Sequence, residues 1–316
     1  MMLFPSLIVL SISYALSVTQ SLNLVIRQMT EVETQIVAVE RLKQYFVLYD
    51  FICRYSDLKT EGQYSTPEKI PQNWPTEGRI DIDHINMRYR PELEPVLHDM
   101  TLHIDSKKKI GIVGRTGAGK SSLLVALLRL VNIEEGHIYI DNIDINSIGV
   151  GDVRRAVAVI PQDPILFSGS IRYNLDPFDE YTDAEIWNIL EMTQMKSIIA
   201  EMPEQLGAKV QEKGENFSVG QRQLLCLSRS ILNKSKIIFL DEATSSIDIE
   251  TDSKIQKIIR EQFKDSTVIT IAHRIHTILD SDEIVVIENG QVKEYDTPEH
   301  LLSDSHRYAI KKRFML

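Results

Sequence analysis

Eight consecutive residues, Gly114-Arg115-Thr116-Gly117-Ala118-Gly119-Lys120-Ser121, fit the phosphate-binding pattern G-x-x-x-x-G-K-[ST]. Such a loop works only between a buried strand and a helix, so it restricts the folds open to the chain. The flanks comply. Ile110-Gly111-Ile112-Val113 reads as a buried strand, and Ser121 to Arg129 reads as a helix. Glycines let the backbone curl so that successive N–H groups point at phosphate oxygens, and the helix N-terminus adds partial positive charge. Lys120 is placed to reach the β- and γ-phosphates, and the Ser121 hydroxyl to coordinate Mg²⁺. Ordinary residue usage produces the pattern by chance roughly once in 30,000 residues, so a glycine turn of another kind is the weaker reading. The chain reads as nucleotide-binding.

With 316 residues there is material for one or two domains and a sizeable core. The formal net charge of −10, with no basic block, argues against a nucleic-acid partner, because duplex binding needs a cationic footprint. The two cysteines, Cys53 and Cys226, have no metal-ligand spacing, and a reducing cytosolic setting suits them better than a disulfide framework.

The first charged side chain is Arg27. The preceding stretch is rich in Leu, Ile and Val but diluted by Ser, Thr, Gln20 and Asn23. It lacks the basic start and cleavage site of a signal peptide. A buried soluble helix and a membrane-spanning helix both remain, and length and the basic exit favour the second. Polar residues in such a helix would face other helices or a water-filled path. No Gly or Pro occurs between Ser6 and Glu61, so one long helix is expected, with Val32, Ile36, Val39 and Leu42 on one stripe. Residues 56–78, with Pro67, Pro71 and Pro75, read as an extended linker, and a folded domain is expected from Arg79.

That domain alternates strand and helix signals. Strands are expected around Ile80–Ile82, Met100–Ile104, His137–Asp141, Val157–Ile160, Ile237–Leu240, Thr267–Ile271 and Glu283–Ile287. Thr182-Asp183-Ala184-Glu185 has capping-box form before a helix over Ile186–Thr193. A second helix carries Ile255, Ile258, Ile259 and Phe263 on one face, and Asn289-Gly290 signals a hairpin. The order implies an α/β domain with a largely parallel sheet covered on both faces.

Asp241 and Glu242 follow the apolar run Ile237–Leu240, at the strand end where α/β sheets bind ligands. Asp241 can there reach Mg²⁺, and Glu242 can orient and deprotonate a water beside the γ-phosphate. Ser218-Val219-Gly220-Gln221 precedes the helical run Gln223–Leu232, a second anion-type helix start. One mononucleotide needs only one such end, so the second suits another molecule's nucleotide. His273, a candidate γ-phosphate sensor, and Gln162 each follow a strand; taken singly, the structural reading of each is the stronger one.

Taken in order, Gly114–Ser121, Gln162, Ser218–Gln221, Ile237–Glu242, Ser245-Ser246-Ile247-Asp248 and His273 resemble the nucleotide-binding domain of ATP-binding-cassette (ABC) transporters. The wording around them is similar to the second such domain of the multidrug-resistance-associated, or C, subfamily. The resemblance covers residues 79 to about 300 and, weakly, 1–45, which look like a last transmembrane helix and its cytosolic extension.

The resemblance implies a P-loop NTPase fold: a RecA-like core, an antiparallel β subdomain and a helical signature subdomain, preceded by a long transmembrane and cytosolic helix. It implies residues 1–55 as part of a membrane domain, 56–78 as linker and 79–316 as the ATP-binding domain. Tyr89 would stack on adenine. Gly114, Arg115, Thr116, Gly117, Ala118, Gly119, Lys120, Ser121 and Ser122 would hold phosphates; Ser121, Gln162 and Asp241 would hold Mg²⁺. Glu242 would be the general base, and His273 and Lys120 would contact the γ-phosphate. Ser218, Val219, Gly220 and Gln221 would act in trans on ATP held by a second nucleotide-binding domain, with Asp248 at the dimer seam. The implied activity is ATP hydrolysis driving export of organic anions, conjugates or xenobiotics, with transmembrane domains as partners, at the plasma membrane, the ATP-binding domain being cytosolic.

Three departures stand out. Val219 replaces a glycine of the family's Leu-Ser-Gly-Gly-Gln, which predicts that this chain's signature serves a poorly hydrolysing site while its own Glu242 site is catalytic. Phe46–Tyr55 reads as an insertion or an extended amphipathic helix. One nucleotide-binding domain and one candidate helix imply a fragment or a truncated product. A soluble ABC ATPase and a regulatory stub binding full-length partners are the rival readings.

Overall fold

The run Ile237-Ile238-Phe239-Leu240 has no solvent-facing side, and the structure buries all four residues on the two faces of an interior parallel strand. The computed structural model describes residues 4–54, 63–71, 73–241, 249–271 and 279–302. They fall into two units, Met1–Glu61 and Gly62–Leu316.

The first unit is one helix, α1 (Phe4–Arg54), as the absence of Gly and Pro leads one to expect. Its hydroxyls are absorbed locally: Thr19 donates to the Ala15 carbonyl at 2.8 Å and Thr30 to that of Ile26 at 2.7 Å. The expectation of a membrane-spanning stretch meets a different result. Among the described residues no helix is long and apolar enough to cross a membrane. Between Leu10 and Ile26 the apolar run is broken by Ser11, Ser13, Ser17, Thr19, Gln20, Ser21 and Asn23.

The second unit has two main sheets. The antiparallel sheet contains β1 (Ile80–Met87), β2 (Leu97–Ile104), β4 (Glu135–Ile140) and β5 (Ile143–Asp144), in the order β2-β1-β4-β5. The larger sheet contains β3 (Lys109–Val113), β6 (Val157–Ile160), β9 (Ile237–Asp241), β10 (Thr267–Ile271), β11 (Glu283–Glu288) and β12 (Gln291–Asp296). Its order is β12-β11-β3-β10-β9-β6, parallel except for the edge strand β12. A short pair joins β7 (Gly169–Ser170) and β8 (Lys209–Val210). The helices are α2 (Lys120–Leu127), α3 (Val150–Ala156), α4 (Ile171–Leu175), α5 (Asp183–Met192), α6 (Lys196–Ala200), α7 (Val219–Leu232), α8 (Ile249–Gln262) and α9 (Pro298–Leu302).

Strand periodicity sorts the core into two layers. Ile237, Phe239, Ile269 and Ile271 join one cluster with α2 and the antiparallel sheet. Ile238, Leu240 and Val268 join the other, with α4–α8. The expected helix face Ile255, Ile258, Ile259 and Phe263 is buried in that second cluster, and the Thr182–Glu185 capping box forms at the start of α5.

The apolar alternation of β1 changes phase, from Ile80 and Ile82 to Ile85 and Met87. A bulge absorbs the extra residue: His84 has φ 49° and the β1–β2 register shifts between Ile82 and Ile85. Asp99 on β2, at φ 46°, answers it, with a 2.6 Å contact between His84 Nδ1 and Asp99 Oδ1. All four apolar residues of β1 thus reach the core.

Residues 63–71 and 73–78 belong to the second unit and are hydrogen-bonded into it. The N–H groups of Gly149, Val150 and Gly151, at the start of α3, donate to Thr66 Oγ1 and to the carbonyls of Gln63 and Tyr64. Asp152 returns the pairing by accepting from Ser65 Oγ and the Thr66 amide. Farther on, the Asp141 carboxylate accepts four successive backbone N–H groups, from Thr76 to Arg79, at 2.7–3.2 Å. Burial raises the Asp141 pKa, but these four donors outweigh it and leave the carboxyl below its ordinary value.

Candidate active site

The phosphate loop leaves β3 at Val113 and enters α2 at Lys120. Its glycines are there for two different reasons. Gly117 and Gly119 have φ of 81° and 105°, in the region where a side chain is strained. Gly114 is there for space: a Cβ on it would stand 2.3 Å from the Ile287 carbonyl oxygen of β11. Inside the loop Lys120 is 6% exposed, and its ammonium donates to the carbonyls of Gly114 at 2.9 Å and Arg115 at 3.1 Å. A buried ammonium held by loop carbonyls is positioned to exchange them for anionic oxygens. Arg115, Thr116, Gly117 and Ser121 are exposed at the loop's mouth, while Ala118 and Ser122 are buried. Ser122 meets Tyr89, whose hydroxyl lies 3.0 Å from its Oγ. Tyr89 and the loop, 25 residues apart at the nearest, are therefore neighbours, and the ring is 44% exposed.

Register places the other expected residues along one edge of the sheet. Ile112, Ile271 and Asp241 lie level across β3, β10 and β9, and Leu240 is level with Ile160 of β6. Gly114, Asp241 and Gln162 thus all sit at or just beyond the carboxyl ends of parallel strands, where α/β folds bind ligands. Glu242, Asp248 and His273 lie outside the described residues. Gln162 is exposed, and Pro161 before it accepts at 3.3 Å from Nε2 of Gln223, a fully buried residue of α7.

Ser218 caps α7. Its Oγ accepts from the Gln221 amide at 3.2 Å, and Gln221 Oε1 accepts from the Ser218 amide at 2.9 Å. Val219, in the first turn, is 36% exposed, and a Cβ on Gly220 would meet Thr251 Cγ2 at 2.8 Å. Glycine at position 220 therefore serves the packing of α7 on α8. The signature stretch lies at the head of the second core, whereas the phosphate loop borders the first.

Two supporting residues escape motif reasoning. Gly290 of the β11–β12 turn donates its amide to the Ala118 carbonyl and accepts from the His98 amide. Gln223 ties α7 to the loop that carries Gln162. Asn289-Gly290 shows as a hairpin in sequence, but nothing local reveals what its tip touches.

Residues 97–245 match the family model described as ABC transporter. The chain carries an ABC transporter domain. Its similarity to known proteins of this family runs well beyond that segment. It is 50% identical over 299 residues to ATP-binding cassette sub-family C member 2 of Rattus norvegicus, covering 95% of this chain and 19% of that protein. It is 50% identical over 298 residues to the Metal resistance protein YCF1 of Saccharomyces cerevisiae, covering 94% and 19%. With sub-family C member 3 of Rattus norvegicus the identity is 46% over 300 residues, covering 95% and 19%. The chain thus spans about a fifth of the length of these ABC transporter relatives.

Proposed function

We propose that the chain is the ATP-hydrolysing domain of an export-type ABC transporter. The observation that carries this reading is the glycine loop closed around a buried Lys120, with Asp241 at the carboxyl end of β9, two strands away in the same sheet. Adenine stacks on Tyr89. The loop amides and Lys120 hold the β- and γ-phosphates, and their positive charge offsets what builds up on the leaving oxygen. Glu242 takes a proton from water as it attacks the γ-phosphorus, the bond to the β–γ bridging oxygen breaks, and ADP and phosphate leave. His273 steadies the γ-phosphate.

The donor set of Ser121, Gln162 and Asp241 is hydroxyl, amide and carboxylate oxygen, the hard ligands that suit Mg²⁺. Among the described residues no group of three or more His, Cys, Asp or Glu could hold a metal ion. Ser121, Gln162 and Asp241 would hold the ion, which would supply neutralisation of phosphate charge.

Ser218, Val219, Gly220 and Gln221 meet ATP on a second nucleotide-binding domain across a seam that includes Asp248, and α1 belongs to the end of a membrane domain. The cargo is organic anions, conjugates or xenobiotics, and the site of action is the plasma membrane, with the ATP-binding domain on the cytosolic side. The test is turnover of the assembled transporter. Glu242→Gln is expected to abolish ATP hydrolysis while sparing ATP binding, and Ser218→Ala to leave a substantial fraction. Equal loss in both would refute the asymmetry; hydrolysis surviving Glu242→Gln would refute the assignment of the base.

A further inference from the structure

At the opposite end of the parallel sheet from the phosphate loop, a cavity of about 430 Å³ opens beside the amino ends of β6 and β9. Three pieces of chain far apart in sequence wall it: the segment with Ile70 and Trp74, the C-terminal half of α3, and the connection from α7 to β9. Its volume lies within the range of small-molecule sites.

The lining is unusual in its charge. Arg155, Lys234 and Lys236 are all among the residues that line it, in a chain whose formal net charge is −10. The single acid of the lining, Asp152, is already occupied by Ser65 Oγ and the Thr66 amide, at 2.8 and 2.7 Å. Lys234 also lies in the field of Glu185 on α5. Among the described residues, no hydrogen bond or ion pair is found to the side chains of Arg155 and Lys236. Donors therefore outnumber acceptors, and a complementary ligand must bring acceptor oxygens and negative charge. Trp74 and Ile70 supply an apolar wall that inorganic ions alone do not use; the indole Nε1 is turned away, donating to the Ile140 carbonyl at 3.1 Å. The ring thus faces its surroundings as an apolar surface with its polar atom satisfied.

We propose that this cavity is a second ligand site, distinct from the nucleotide site, for a small organic polyanion bearing two or more phosphate or carboxylate groups. Arg155 and Lys236 hold the acidic groups, Lys234 adds charge at the rim, and Trp74 and Ile70 cover the carbon skeleton.

Trp74 makes the site observable, because the chain has only one other tryptophan, Trp187. The full chain carrying Trp187→Phe is titrated with tripolyphosphate and, separately, with citrate, following indole fluorescence. A saturable response to at least one probe is expected, and which one responds separates phosphate from carboxylate ligands. The Arg155→Ala, Lys236→Ala double variant should weaken it at least tenfold, while the charge-preserving Arg155→Lys, Lys236→Arg pair should restore it. The response should persist in Lys120→Ala. No saturable response to either probe, unchanged affinity in the double alanine variant, or disappearance in Lys120→Ala would each overturn the proposal.

Discussion

The amide of Gly290 donates to the carbonyl of Ala118 at 2.9 Å, so the tip of the β11–β12 hairpin holds the phosphate loop from behind. The same glycine's carbonyl accepts from the His98 amide at 3.0 Å, tying the loop to β2 as well. Gly290 has φ 74°, and a Cβ there would stand 2.2 Å from the Val96 oxygen.

Gly290→Ala is therefore expected to be costly although it lies more than 150 residues from the loop it supports. Strain and the backbone clash together should cost about 3 kcal/mol of stability. ATP affinity should fall with it, because the loop loses a fixed anchor. Urea denaturation and nucleotide titration of the same variant measure the two effects. A variant as stable as the parent would show that the hairpin tip gives way freely.

Asp141 predicts a pH signature. Its carboxylate accepts four backbone N–H groups, which leave its pKa below the ordinary value. A carboxyl depressed in the folded state contributes stability that is present above its unfolded pKa and lost as pH falls through the folded one. Asp141→Asn should cost about 1–2 kcal/mol at neutral pH. The gap between the two proteins should narrow as acid protonates Asp141. Thermal unfolding of both across pH 7 to 3 checks the sign; a gap that widens in acid would contradict it.

How much of this could be read from the residues alone depends on whether the information is local. The strand–loop–helix around Lys120, the buried run Ile237–Leu240 and the Thr182–Glu185 cap are set by neighbouring residues, and each forms as the pattern implies. The phase change in β1 is visible as the spacing Ile82 to Ile85, but a bulge there needs its partner Asp99 on another strand. The support of Ala118 by Gly290, and of the Gln162 loop by Gln223, joins positions far apart in sequence. No periodicity carries that information. The membrane reading of the first 26 residues rests on length and the basic exit at Arg27, whereas partition into a bilayer also depends on total apolarity, which Ser, Thr and Gln reduce.

Ser218 has a structural duty besides any role at a partner's nucleotide. Removing its hydroxyl takes away the cap on the Gln221 amide. Ser218→Ala should cost about 1 kcal/mol of stability. A loss of that size must be subtracted before any drop in turnover is credited to trans contacts. Ser218→Thr keeps a capping oxygen and should recover most of the stability, as differential scanning calorimetry would show.

Cys226 is buried, and burial pushes its thiol pKa upward. Iodoacetamide at pH 8 should label it slowly in the native protein and rapidly in denaturant, read by mass spectrometry of the α7 peptide. Fast native labelling would mean that α7 opens from the second core far more often than its packing implies.

The most direct test of the central claim is equilibrium binding of ATP with Mg²⁺ to the full chain, by titration calorimetry, alongside Lys120→Ala. The account predicts one saturable site per chain, weakened about a hundredfold or more when the buried ammonium is removed. Absence of saturable binding, or affinity indifferent to Lys120, would contradict it.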